Sequence, residues 1–183
     1  MFVDAVSNIV VGDPASESTV MGSVISKDHQ TKVESYIELG LEEGGAVLTG
    51  GTRAMTGQVG PTQDGAFLRP TIIDGLDPSA RTSTEEIFGP VVTLHRFDSD
   101  DEAIEIANAT EYGLAGSIWS TDTERAHALA QKIETGIVWV NTWLHRDLRV
   151  PFGGVKDSGV GREGGMWSLG FFSEAVNICV MED

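Results

Sequence analysis

Cysteine is almost absent. Cys179 is the single one in 183 residues, so no internal disulfide can form and nothing points to an oxidising compartment. Positive charge is scarce as well. Twelve Lys and Arg stand against 28 Asp and Glu, a formal charge of −16, which repels phosphate backbones and anionic lipid and argues against nucleic-acid or membrane partners. No basic residue precedes Lys27, and the apolar start MFVDAVSNIVV contains Asp4. It lacks the charged n-region of a signal peptide and is too short to span a bilayer, so a cytoplasmic location is expected. His29, His95, His127 and His145 show no H-x-x-x-H or cysteine spacing; they read as surface or internally satisfied histidines, and no metal is expected. Asn108-Ala109-Thr110 fits a glycosylation sequon, which carries no weight without secretion. Internal repeats and low-complexity linkers are missing too.

Glycine, by contrast, is concentrated. The chain has 22, and Pro151 to Gly165, PFGGVKDSGVGREGG, is the densest stretch. Glycine serves where φ must be positive or another group must come close to the main chain, at a cost in conformational entropy, so this reads as a functional loop. Gly159, Gly161 and Gly164 spell G-x-G-x-x-G. A dinucleotide fingerprint also needs a preceding buried strand, a helix opening at once and an acidic residue about 20 positions on. Asp147 to Lys156 is polar and broken by proline, and only nineteen residues follow Gly164, so the match is weak.

At this length the chain suits one domain, burying roughly 70% of its extended surface. Phe2, Val6, Ile9 and Val10 form the stripe of an amphipathic helix that Gly12-Asp13-Pro14 ends. Ser26 reads as the N-cap of a second helix turning Val33, Tyr36, Ile37 and Leu41 inward, stopped by Gly44-Gly45. Short strands are predicted at Ala46 to Thr49 and Phe67 to Ile73, separated by a loop rich in glycine and threonine, and another at Val91 to Phe97. A helix capped by Asp98 or Ser99 runs to about Ala109, followed by a strand at Leu114 to Ser120, a helix at Asp122 to Glu134 and a buried strand at Gly136 to Val140. This alternation implies an α/β fold with a parallel sheet. Trp167 to Phe172 is aromatic, and Ala175 to Val180 is a last β-prone run, which at a sheet edge would need a partner.

A second dense cluster is Glu85-Glu86-Ile87-Phe88-Gly89-Pro90. A carboxylate can accept hydrogen bonds from two vicinal hydroxyls, as on a ribose, and an aromatic ring two residues on can pack against a flat ring. The competing reading is a solvated helix-end carboxylate beside a core Phe.

EEIFGPVV, followed about fifty residues later by GIVWVNTW and then PFGGVKDSGVGREGG, resembles the C-terminal part of an aldehyde dehydrogenase. The likeness extends to Val11-Gly12-Asp13-Pro14, Met21-Gly22 with Ile25-Ser26, DEAIEIANATEYGLAGSIWSTD and the closing strand. In that family a thioester forms on a cysteine, hydride passes to NAD or NADP, and water releases the acid. The resemblance implies that Glu86 holds the nicotinamide ribose and Phe88 lies beside the nicotinamide, while Phe152 walls the aldehyde tunnel. WLHRDLRVPFGGVKDSGVGREGG is similar to the dehydrogenases of 2-hydroxymuconic and 2-aminomuconic semialdehyde, whose substrates carry a carboxylate. Arg146 would meet that charge through its guanidinium fork, with Arg149 as runner-up; the alternative for Arg146 is a surface ion pair with Asp147 or another acid.

On this reading, residues 1–165 are the parallel-sheet part of the catalytic domain and 166–183 an oligomerisation arm whose strand pairs subunits of a homo-oligomer. The family's dinucleotide-binding domain and nucleophile would precede Met1, so no catalytic residue is assigned within this chain. Cys179, placed in the terminal strand, reads as a small buried hydrophobe rather than a nucleophile. The polypeptide by itself is therefore expected to oxidise no aldehyde. Alternatives are the C-terminal half of a split enzyme, or a non-catalytic module that assembles with full-length subunits.

Overall fold

The computed structural model describes residues 1–54 and 65–182. Most of the glycine- and threonine-rich loop expected after the first strand lies outside the described residues. The chain forms two compact units, Met1–Ser99 and Asp100–Asp183.

In the first unit, α1 covers Phe2–Ser7 and α2 covers Lys27–Glu42. The predicted first helix is thus cut short. Past Asn8 the chain leaves the helix, and Val11 instead bridges Met21 in parallel and is buried against Phe67. Ser26 caps α2 as expected: its backbone is extended and its side chain accepts from the His29 amide at 3.1 Å. Val33, Ile37 and Gly40 face inward. Leu41 does not and is 52% exposed. At 3.6 residues per turn, position 40 falls about 20° from Val33 around the helix and position 41 about 80°, so the glycine takes the inward place.

Strand β1 (Ala46–Thr49) pairs antiparallel with β2 (Thr71–Asp74), and after α3 (Arg81–Thr84) strand β3 (Val91–Leu94) joins β2 in parallel, Thr71 opposite Val91 and Asp74 opposite Leu94. The second strand starts later than expected because Pro70 has no N–H to give a ladder. The third stops at Leu94 because its neighbour turns away at Gly75. Val33, Ile37, Leu68 and Ile87 close the core between α2 and the strand layer. Each buried aliphatic side chain is worth about 1.5–3 kcal/mol, enough to fix α2 firmly against the segment that carries Ile87.

The second unit holds α4 (Asp100–Asn108), β4 (Tyr112–Gly113), β5 (Ala115–Ile118), α5 (Thr123–Ala130), β6 (Ile137–Val140), β7 (Val155–Lys156) and α6 (Gly165–Phe172). Three acids in the first turn of α4 suit the positive end of its dipole. Asp122 caps α5, its carboxylate accepting from the Arg125 amide at 2.9 Å. That helix ends before the predicted Glu134, because the Asn108 side chain donates to the Lys132 carbonyl and accepts from the Glu134 amide, both at 2.9 Å. Strands β5 and β6 are parallel and β4 and β7 antiparallel. The strand expected to be buried has only Trp139 fully inside. A Cβ on Gly136 would stand 1.6 Å from the Gly153 carbonyl oxygen, so glycine there allows the 153–154 backbone to lie against the start of β6.

The alternation of helices and strands gives the expected α/β class, with parallel pairs β2–β3 and β5–β6 beside short antiparallel ones. Beyond α6, residues 173–182 are exposed and have no ladder partner among the described residues.

Candidate functional site

Within the first unit, α2 presents His29, Lys32, Val33 and Tyr36, spaced as one face of a helix, to residues 85–89. The Tyr36 hydroxyl donates to Glu85 Oε2 at 2.7 Å. Arg81, one turn before Glu85, adds Nε to Oε1 at 2.7 Å and Nη2 to Oε2 at 3.1 Å. These bonds, Arg81's first and Tyr36's next, hold the Glu85 carboxyl down at about 2. The Lys32 ammonium donates to the Glu86 carbonyl at 3.1 Å. The Phe88 carbonyl accepts from His29 Nε2 at 2.6 Å, with the two rings edge to face, centroids 6.2 Å apart. Gly89 lies directly on Val33: a Cβ there would stand 2.5 Å from Val33 Cγ2.

The two adjacent glutamates therefore have different fates. Glu85 is spent on Arg81 and Tyr36, while the exposed Glu86 carboxylate has no partner among the described residues. Phe88 adopts φ +56°, a left-handed conformation that a side chain with a Cβ disfavours. Its ring is 74% exposed, not the core Phe of the competing reading. A depression of about 420 Å³ opens here, with Glu86, Phe88, Val92 and Thr93 on its wall. Sequence reading found Glu86 and Phe88 and missed the residues that hold them. The signal available was the spacing of His29, Lys32 and Tyr36 on the same helix as buried Val33.

In the second unit the structure brings Arg146 and Phe152 together, the guanidinium lying over the ring at 4.2 Å from its centroid. Arg146 also pairs with Glu163. Glu163 is positioned by reciprocal backbone hydrogen bonds with Phe152, both 2.8 Å. The surface ion pair weighed for Arg146 exists, then, with Glu163 rather than Asp147. Asp147 is taken by Arg149 at 2.6 Å, whose hydrogen bonds lower its carboxyl. Arg149 is highly exposed and lies outside this cluster. A cavity of about 450 Å³ is walled by Phe152, Ser158, Arg162, Phe171 and Phe172. Arg162 Nη1 donates to the carbonyls of Gly154 and Gly161 at 2.7 and 2.8 Å, pinning the glycine loop.

That loop is no pyrophosphate cradle. The strand before it, β7, is two residues long and antiparallel to β4. The Gly164 amide at the head of α6 is already given to Ser168 Oγ at 2.7 Å. Cys179, expected to be buried, is exposed, its Sγ 3.7 Å from Asn177 Oδ1; residues 173–182 around it are exposed as well.

Residues 1–178 match the model of the aldehyde dehydrogenase family. The chain belongs to this family. It is 49% identical over 170 residues to a 2-aminomuconic 6-semialdehyde dehydrogenase of Pseudomonas sp, covering 93% of this chain and 34% of that protein. It is 47% identical over 173 residues to a 2-hydroxymuconic semialdehyde dehydrogenase of Pseudomonas sp. (strain CF600), covering 94% and 35%. The solved structure of betaine aldehyde dehydrogenase from Staphylococcus aureus in complex with NAD+ superposes with a TM-score of 0.87 at 40% identity, over 93% of this chain and 33% of that one. This aldehyde dehydrogenase chain thus spans about a third of the length of the relatives it matches, and it shares their α/β fold. No helix among the described residues is long and apolar enough to cross a membrane.

Proposed function

We propose that this chain is the C-terminal portion of an NAD-dependent aldehyde dehydrogenase that oxidises a carboxylate-bearing semialdehyde, of the 2-hydroxymuconic or 2-aminomuconic type, to the acid. The observation that carries this reading is the contrast at Glu85-Glu86. Helix α2 and Arg81 engage Glu85 and leave the Glu86 carboxylate uncommitted beside an outward Phe88 ring. A free carboxylate and a flat ring on one short segment suit a ribose and a nicotinamide, so Glu86 and Phe88 would hold the cofactor, which when bound accepts the hydride. NADP differs at a ribose these residues do not read.

Phe152 and Arg146 form the substrate-facing pair. The guanidinium is already desolvated on one side by the Phe152 ring, and its bond to exposed Glu163 is of the kind worth about 0–1 kcal/mol. A substrate carboxylate, binding the fork bidentately, can displace it. The nucleophile is not assigned within these residues. Cys179 is exposed, and among the described residues no base or cation is bonded to its sulfur.

Two measurements test the proposal. Titrating the chain, co-expressed with a segment carrying the dinucleotide domain, with NAD+ should reveal binding that Glu86→Gln weakens about tenfold, the scale of a hydrogen bond to a charged group; equal affinities would remove Glu86 from the cofactor site. The purified chain given 2-hydroxymuconic semialdehyde and NAD+ should form no NADH, and co-expression with a segment carrying the dinucleotide domain and cysteine should restore turnover. NADH from the chain alone would refute the nucleophile assignment.

A second reading, a module assembling with full-length subunits, is favoured by the terminal run, where Val176, Ile178 and Val180, at every second position, are all exposed.

A further inference from the structure

We propose that His29 is a positioning residue: its Nε2–H fixes the Phe88 carbonyl, and with it the left-handed backbone that presents the Phe88 ring and the Glu86 carboxylate. The inference rests on the cofactor reading of those two residues.

A carbonyl oxygen only accepts, so the 2.6 Å contact requires the proton on Nε2 of His29. Neutral imidazole in that tautomer and imidazolium both satisfy this. His29 is itself tied at its other end, because its backbone amide donates to the Ser26 cap. The imidazole therefore projects from the capped first turn of α2, and its ring edge meets the Phe88 ring as well.

The neighbouring points along the segment have other supports. Lys32 bonds the Glu86 carbonyl, and Val33 packs on Gly89. The Phe88 carbonyl alone, among the described residues, depends on His29. It belongs to the residue of this segment held in the left-handed region, at φ +56°. Left-handed backbone at a residue with a Cβ persists only where its surroundings fix it. Without the bond, Phe88 relaxes toward the ordinary extended or helical regions, and the ring and the carboxylate two residues before it no longer share one orientation.

The test compares His29→Ala, His29→Gln and Glu86→Gln, reading the Phe88 Cα and amide resonances and thermal stability on the isotopically labelled chain, and NAD+ affinity on the same chain co-expressed with the segment carrying the dinucleotide domain. Gln restores a donor of similar reach without an imidazole ring. In His29→Ala the Phe88 resonances should leave their left-handed positions and NAD+ affinity should fall about tenfold. In His29→Gln both should return to within about twofold of the parent. Unmoved Phe88 resonances in the Ala variant, or a Gln variant as impaired as Ala, would overturn the inference. If Glu86→Gln leaves NAD+ affinity unchanged while His29→Ala still shifts Phe88, the cofactor reading falls and the positioning role stands. Should the Ala variant unfold, His29→Asn, polar but too short to reach the carbonyl, takes its place under the same criteria.

Discussion

Three donors converge on Glu85, two from Arg81 and one from Tyr36, and they have a consequence for acid stability. Its carboxyl is lowered from 4.5 to about 2 in the folded chain. A depressed carboxylate contributes stability that is fully present above its unfolded value and is lost as pH falls toward its folded one. The contribution of Glu85 should therefore disappear between about pH 4.5 and pH 2. Glu85→Gln is expected to unfold at lower denaturant than the parent at neutral pH. The gap should close on acidification through that window, as measured by urea titration at stepped pH. A gap that stays constant down to pH 2 would mean the ion pair adds nothing. Because the same three bonds occupy the Glu85 carboxylate at the wall of the depression, the variant also tests whether engaging one glutamate is what leaves the other uncommitted. Nothing in the dipeptide Glu85-Glu86 distinguishes them. The choice rests first on Arg81, one turn earlier, and then on Tyr36, 49 residues away, whose part becomes visible only once α2 is packed against the segment.

At the scale of elements, α2 is the platform of the first unit, and its start was legible in the sequence. Ser26 followed by an apolar stripe predicts the cap, and the cap is there. Ser26→Ala should cost about 1 kcal/mol, or about 2–4 °C in melting temperature for a chain of this size, measured by calorimetry; Ser26→Gly should cost less. Asp122, read as the first residue of α5, is instead its cap. Element lengths were less legible. Pro70 delays β2, and Asn108 ends α5 early through two hydrogen bonds from a residue outside that helix. The first apolar stripe reads as helix through Val10, yet Val11 is drawn into a bridge with Met21. In the last two cases a contact from elsewhere in the chain overrode a periodicity that was locally sound. The candidate site divides the same way. Glu86, Phe88, Arg146 and Phe152 were named from sequence, and the stacking of Arg146 on Phe152 follows from the bridge that sets Phe152 opposite Glu163. The holders on α2 were not.

For the whole molecule the question is what an acidic chain does with an apolar arm. Val176, Ile178 and Val180 are 80%, 81% and 76% exposed, and Phe171 and Phe172 before them are exposed too. Alternating apolar residues on an unpaired segment favour pairing with another strand, which would satisfy the backbone and bury one side-chain row. A charge of −16 opposes any such association at low ionic strength. Salt removes that opposition, since the screening length shortens from about 30 Å at 0.01 M to about 8 Å at 0.15 M, while apolar burial does not weaken. Self-association should therefore grow with salt, the reverse of a complex held by ion pairs. Light scattering after size exclusion should show mass above 19.5 kDa, rising from low to physiological salt. Ile178→Asp, which places a charge in the middle of the apolar row, should return the chain to monomer mass at both. A chain that stays monomeric at every salt, or associates equally with Ile178→Asp, would remove the arm from the interface and leave the module reading without its support.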